Sequence, residues 1–282
     1  MSVHIITDSS SDIVNPSDPR LTVVPLSIAF GTKTYADGVD LSHEQFYELL
    51  VEGDDMPTTG QVTPYAFSQA IEAARKDADG IVVITLSSKL SGTYESAVAA
   101  ADGASDVYVV DSKNVTVGQC ILVDYALRLA DEGKDAAQIA AALEQARERV
   151  HLIALLDTLE YLRRGGRIPS AVGAVGELLA IKPVIAIVDG EVAILGKARG
   201  SKNGRNLLRQ QIEKAGEIDF SMPVILGYTG LSDKLLRKYL ADNRDLWEAH
   251  LGADNLPIHC IGATIGTHAG PNAVAVAYFS KE

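Results

Sequence analysis

Ile81-Val82-Val83-Ile84-Thr85-Leu86-Ser87-Ser88-Lys89-Leu90-Ser91-Gly92-Thr93 decides the fold class. Its first six residues run apolar without a polar–apolar alternation, as a strand covered on both faces does. The polar stretch that follows ends in Ser-Gly-Thr, which opens an Ala-rich helix through Ala101. The same grammar surrounds it. Val3 to Thr7 reads as a buried strand entering Asp8-Ser9-Ser10-Ser11-Asp12. Val107 to Val110 reads as another, entering Asp111-Ser112, with helices near 115–131 and 135–149. Buried strands alternating with helices predict a parallel sheet flanked by helices, with polar side chains gathered at its carboxyl edge, where open α/β sheets bind ligands.

Between these units, Leu21 to Phe30 reads as an edge or irregular strand because Pro25 interrupts it. Ser42-His43-Glu44-Gln45 is a capping-box pattern, and Thr63-Pro64 places an N-cap before a first-turn proline. The second half has a different rhythm. Leu152 to Leu156 is apolar, and Leu159 to Arg167 reads as a short helix closing on Gly165-Gly166. Val184 to Val188 and Val192 to Leu195 flank Asp189-Gly190, a hairpin signal. Helices are expected near 202–215 and 232–251, and strands at Val224 to Tyr228, Pro257 to Ile261 and Ala273 to Phe279. The expectation is two α/β domains: residues 1–150 with a mostly parallel sheet flanked by helices, and 151–282 with a mixed sheet and helices.

The 282 residues, at roughly 150 per domain, allow those two domains. The net charge of −12 argues against a nucleic-acid-binding surface, which needs clustered Lys and Arg. Cys120 and Cys260 stand 140 residues apart and form no CxxC motif, so both are read as reduced, buried side chains in the cytoplasm. No leader is expected, because no Lys or Arg precedes Arg20. The most apolar stretch, Ala171 to Val188, carries Glu177, Lys182 and Pro183 and does not read as a membrane span.

Familiar catalytic signatures are missing. There is no GxGxxG, GxSxG, SxxK or HExxH, and Gly190 to Lys197 fails as a phosphate loop because it lies on a hairpin. Asp54-Asp55 reads as a solvated loop rather than an acid/base pair, and no metal site is expected. What remains are hydroxyls and glycines. Thr58-Thr59-Gly60-Gln61 precedes one helix N-terminus, and Ser91-Gly92-Thr93 forms another; free N–H groups and partial positive charge there suit an anion. Simple N-capping is the alternative use of those residues. Gly262 to Asn272, with three glycines and His268, reads as a loop permitting close approach of a ligand. From Val192 to Ile212 there is no acidic residue, while Lys197, Arg199, Lys202, Arg205 and Arg209 form a basic patch, either a solvated face or a docking surface for an acidic partner.

In order along the chain, Thr7-Asp8-Ser9-Ser10-Ser11-Asp12, Pro57-Thr58-Thr59-Gly60-Gln61, Ser87-Ser88-Lys89-Leu90-Ser91-Gly92-Thr93-Tyr94, Val110-Asp111-Ser112, Leu159 to Ile168, Ile181-Lys182-Pro183 and Gly266-Thr267-His268-Ala269-Gly270-Pro271 resemble the DegV family of fatty-acid-binding proteins. The resemblance covers essentially the whole chain. It implies an apolar tunnel between two α/β domains, holding one long-chain fatty acid as ligand and no cofactor. It further implies that Thr59 and Ser91 hold the carboxylate, aided by the N–H groups of Gly92 and Thr93, with His268 nearby. Such proteins are not enzymes themselves but present the acid to a separate ATP-dependent fatty-acid kinase, and Arg199 is the closest match to the family's docking arginine. The chain departs from the pattern at Gly60, where the family has Ser, at Asn272, where it has Gly, and at Gly200, where it often has Thr.

The implied carrier is cytoplasmic, binds no nucleic acid and touches a membrane surface at most transiently; the sequence sets no oligomeric state. Two other readings share these residues. One is a serine hydrolase of acyl esters with Ser91 as nucleophile and His268 as base. The other is a binding module for a phosphorylated metabolite, using the same helix termini.

Overall fold

The computed structural model describes residues 2–53, 56–168, 181–252 and 256–282. Asp54-Asp55 and the first ten residues of the apolar Ala171–Val188 stretch lie outside them.

The chain begins with β1 (Val3–Asp8), β2 (Leu21–Val24), β3 (Ser27–Phe30), β4 (Lys33–Ala36), α1 (His43–Glu52), β5 (Thr58–Gly60) and α2 (Pro64–Ala74). It continues through β6 (Gly80–Thr85), α3 (Thr93–Ala101), β7 (Val107–Asp111), α4 (Thr116–Asp131) and α5 (Ala136–Ala146). β1, β2, β6 and β7 form an all-parallel sheet in the order β2-β1-β6-β7, as their continuous apolar runs require.

The remaining elements are β8 (Val150–Leu155), α6 (Glu160–Arg164), β9 (Ile181–Val188), β10 (Glu191–Arg199), α7 (Ser201–Ala215), β11 (Ile225–Tyr228), α8 (Lys234–Asp242), α9 (Arg244–Leu251), β12 (Ile258–Cys260), α10 (Ala263–Ala269) and β13 (Val274–Phe279). Their strands build a mixed six-stranded sheet, β10-β9-β8-β13-β11-β12. The expected hairpin joins β9 to β10, with Asp189 and Gly190 both at positive φ (49° and 83°), the geometry that a two-residue turn of this hand needs.

Four readings of the sequence change in the structure. The stretch from Leu21 to Phe30 is two strands: Pro25 ends β2, and β3 leaves for a separate antiparallel sheet of order β4-β3-β5. Thr58-Thr59-Gly60 is therefore a strand paired to Ser27–Ala29, and the helix after it is capped by Thr63, whose hydroxyl accepts from the N–H of Ala66. Gly262 to Asn272 is not a loop; most of it is α10. The helical stretch near 232–251 is divided into α8 and α9 at Asn243, whose φ of −133° leaves the helical region while its side-chain amide donates to the Tyr239 carbonyl.

The two large sheets are joined through α4. Residues Thr116 to Val123 are buried on every side of this helix, the signature of a helix packed between layers. Gln119 ties it to the parallel sheet: its amide nitrogen donates to Thr7 Oγ1 at 3.0 Å, and its oxygen accepts from Ser10 Oγ at 2.7 Å.

The six-stranded sheet sorts its side chains by the two-residue period of a strand. On β8, Ile153 and Leu155 join the outer core with α7, α8 and Trp247, whereas Leu152 and Ala154 face inward. On β13, Val274, Val276 and Tyr278 face outward, and Ala275 and Ala277 inward. Large residues fill the outer layer; alanines on the inner face leave room.

Candidate functional site

That room is a cavity of about 430 Å³ between the inner face of the six-stranded sheet and the carboxyl edge of the parallel sheet, within the range of about 300–1,000 Å³ usual for small-molecule sites. Leu152, Ala154, Ile185, Ile187 and Ala275 form one wall, and Leu26, Leu86, Leu90 and Val115 the other. The Asp189-Gly190 turn closes over the parallel sheet's edge, where Ser87 Oγ donates to the Gly190 carbonyl at 2.7 Å.

One end of the cavity is polar, lined by the half-buried Thr59, Gly60, Ser91, Gly92, Arg167 and His268 and by the exposed Gln61. β5 presents Thr59, opposite Ile28 in the small sheet. The turn before α3 presents Ser91 and Gly92, so that helix's positive end faces the cavity. α10 presents His268, whose Nε2 lies 3.0 Å from Thr59 Oγ1. The loop after α6 supplies Arg167, anchored by Nε donating to the Leu90 carbonyl (3.2 Å) and Nη1 to the Gly165 carbonyl (2.7 Å).

Four of the five expected ligand-holding residues, Thr59, Ser91, Gly92 and His268, thus share one end of one cavity. Thr93 does not line it. It is fully buried, its N–H faces Ser91 Oγ at 3.3 Å, and its hydroxyl lies 2.9 Å from Ser91 Oγ. Arg199 lies elsewhere, exposed at the end of edge strand β10. The basic stretch around it is smaller than its sequence implies, because Arg205 pairs with Asp242, and Arg209 with Glu213 and Asp245. Lys197, Arg199 and Lys202 remain exposed, with no ion pair among the described residues.

Burial and the neighbouring Arg167 cation push the His268 imidazole down to about 4, so it is neutral at pH 7. Its Nδ1 is buried without a partner among the described residues. No carboxylate lines the cavity among those residues, and Arg167 is its one guanidinium. Hydroxyls, a neutral imidazole, a helix N-terminus and a cation at one end of an apolar space favour an anion there. The hydrolase arrangement is not formed: His268 faces Thr59 rather than Ser91, and an imidazole titrating near 4 is a weak general base at pH 7.

The glycines of the Gly-Gly and Gly-Thr-His segments explain how α6 and α10 approach so closely. A Cβ at Gly165 would lie 2.1 Å from His268 Nδ1, and one at Gly266 would lie 2.6 Å from both Phe46 Cε1 and Tyr47 Oη. Gly165→Ala is expected to push the imidazole off Thr59, at an overpacking cost of about 1–3 kcal/mol. Urea unfolding checks the cost, and the His268 side-chain NMR resonances report the displacement.

Sequence reasoning gave Arg167 no role, although its position after Gly165-Gly166 marks a tight turn. It also read Ala273 to Phe279 as a strand without seeing that Ala-Val-Ala-Val-Ala is the pattern of a sheet with one vacant face.

Two α/β layers clamped around an apolar cavity with one anion-favouring end define a small-ligand binding fold. The DegV family model (described as "Uncharacterised protein, DegV family") matches residues 2–281, and the chain belongs to that family. A DegV domain-containing protein of Caldanaerobacter subterraneus subsp. tengcongensis is 36% identical over 285 residues, covering 99% of each chain. A structure reporting fatty acid binding of a DegV family protein from Thermus thermophilus is 29% identical, with a TM-score of 0.86 and 100% of both chains covered. A stearic-acid-binding protein from Eubacterium ventriosum is 25% identical, with a TM-score of 0.86, covering 99% of this chain and 98% of that one. No helix of the described residues is long and apolar enough to cross a membrane.

Proposed function

We propose that this chain is a carrier of long-chain fatty acids, not an enzyme, that holds the acyl chain in the cavity with its carboxylate at Thr59, Ser91, Gly92 and His268. The observation that carries the reading is the cavity's division into a mainly aliphatic body and one anion-favouring end. The fatty-acid-binding neighbours support it. A buried methylene contributes about 0.8 kcal/mol, so the tail supplies affinity and the polar end sets its direction. Arg167, beside Ser91 and His268, adds the positive charge that a desolvated carboxylate needs. The test is titration of delipidated protein with stearic acid, expected to saturate at one acid per chain. Saturation by an alkyl phosphate with no response to stearic acid contradicts the reading and favours the phosphometabolite module.

The partner in this proposal is an ATP-dependent fatty-acid kinase, and the compartment is the cytoplasm. An exposed corner of Lys197, Arg199 and Lys202 in a chain of net charge −12 suits an acidic docking face. Arg199→Glu is expected to leave stearic acid binding unchanged and to lower acyl-phosphate formation with the cognate kinase by about tenfold or more, a loss of about 1.4 kcal/mol or more in docking. Unchanged acyl-phosphate formation removes Arg199 from that role.

A further inference from the structure

The cavity has a second polar group in its lining, more fully buried than the first. Thr116, Thr229 and Thr264 all line it, and all are almost fully buried, at 3%, 0% and 3% exposure. All three lie around the entry to α10, each with its own hydrogen-bond partner. Asp12 accepts from Thr116 Oγ1 through one carboxylate oxygen and from the Gly262 N–H through the other. The Ile261 N–H donates to the Tyr228 carbonyl, which places Thr229 beside the entry to α10. Thr264 lies one helical turn before His268, so α10 presents both residues along the same wall.

The three hydroxyls are not equivalent. Thr116 gives its hydrogen to Asp12, and Thr264 gives its hydrogen to Asp37 Oδ2 at 2.5 Å, so each keeps acceptor capacity. Thr229 Oγ1 accepts from the Ala273 N–H at 2.7 Å, and among the described residues its own hydrogen finds no acceptor. The inner cavity thus offers one donor and two acceptors in an otherwise aliphatic wall. An aliphatic hydroxyl can accept from Thr229 through one lone pair and give its hydrogen to Thr116 or Thr264, so that no buried donor is left unspent. A plain hydrocarbon chain leaves the Thr229 donor buried and unspent, which costs free energy.

We propose that the ligand class of this cavity includes hydroxylated long-chain fatty acids, with the chain hydroxyl seated among Thr116, Thr229 and Thr264. This rests on the reading of the cavity as a fatty-acid site and narrows it. A site built to bond a hydroxyl discriminates more sharply than one that merely tolerates it.

The experiment compares stearic acid with a series of hydroxystearic acids, hydroxylated at successive chain positions, by displacement of a fluorescent fatty acid from delipidated protein. At least one positional isomer is expected to bind about tenfold more tightly than stearic acid. Thr229→Val is expected to erase that preference, read as the ratio of hydroxystearic to stearic acid affinity within the same variant, and Thr229→Ser, which keeps the hydroxyl, to preserve it. Stearic acid binding with no isomer preferred overturns this inference and leaves the carrier reading standing. A preference that survives Thr229→Val also overturns it, because the donor is then not the discriminating group. Failure of every acid, stearic included, overturns the carrier reading itself.

Discussion

Ala275→Phe is expected to weaken fatty-acid binding about 100-fold while leaving the protein folded. Ala275 sits on β13 opposite Ala154 of β8, and both side chains face the cavity. A phenyl ring there occupies space that three or four methylenes of an acyl chain would fill. At about 0.8 kcal/mol each, that is a loss of about 3 kcal/mol, or about 100-fold in affinity. In a tightly packed core the same change would overpack and cost about 1–3 kcal/mol of stability. Here the cavity absorbs the ring, so the apo variant is expected to unfold at nearly the wild-type urea midpoint. Stearic acid titration alongside urea unfolding separates the outcomes. A variant that binds normally shows that the acyl chain does not use this space.

The second large effect is expected at the polar end. In Thr59→Ala/Ser91→Ala, the carboxylate loses both side-chain hydroxyls. Hydrogen bonds to a charged group contribute about 1.5–3 kcal/mol each, so the double variant is expected to bind at least about 100-fold more weakly. His268 then loses its Thr59 partner, and the Thr93 N–H loses Ser91 Oγ. Ser91→Ala alone keeps the Thr59–His268 contact and is expected to fall between the double variant and wild type. Wild-type lipid occupancy in the double variant, read by mass spectrometry, contradicts the placement of the carboxylate.

The parallel sheet was legible because Ile81–Leu86 and its counterparts carry their burial as uninterrupted apolar runs, and the β9–β10 hairpin because Asp-Gly states its turn type locally. β5 was not legible. Thr58-Thr59-Gly60 has no apolar period, and it is a strand only because Ser27–Ala29 pairs with it. α10 was hidden for the opposite reason: Gly266 in its interior lowers its helix propensity, with Gly262 and Gly270 at its caps, yet Gly266 is what lets it pack against Phe46 and Tyr47. Tertiary contact decided both elements, and both carry site residues. Thr59, Ser91, Gly92 and His268 could be singled out because their motifs resemble those of a family. Their meeting at one end of a cavity could not be read from spacing, since Thr59 and His268 are 209 residues apart. Thr93 shows the limit of the same reasoning: its motif matches, but its hydroxyl and N–H are both directed at Ser91 rather than the cavity.

The most direct test of the carrier reading is native mass spectrometry of freshly purified protein, followed by denaturing lipid extraction. One long-chain fatty acid per chain, hydroxylated or plain, is the predicted result. A protein that arrives empty, and remains empty after incubation with stearic acid, contradicts it.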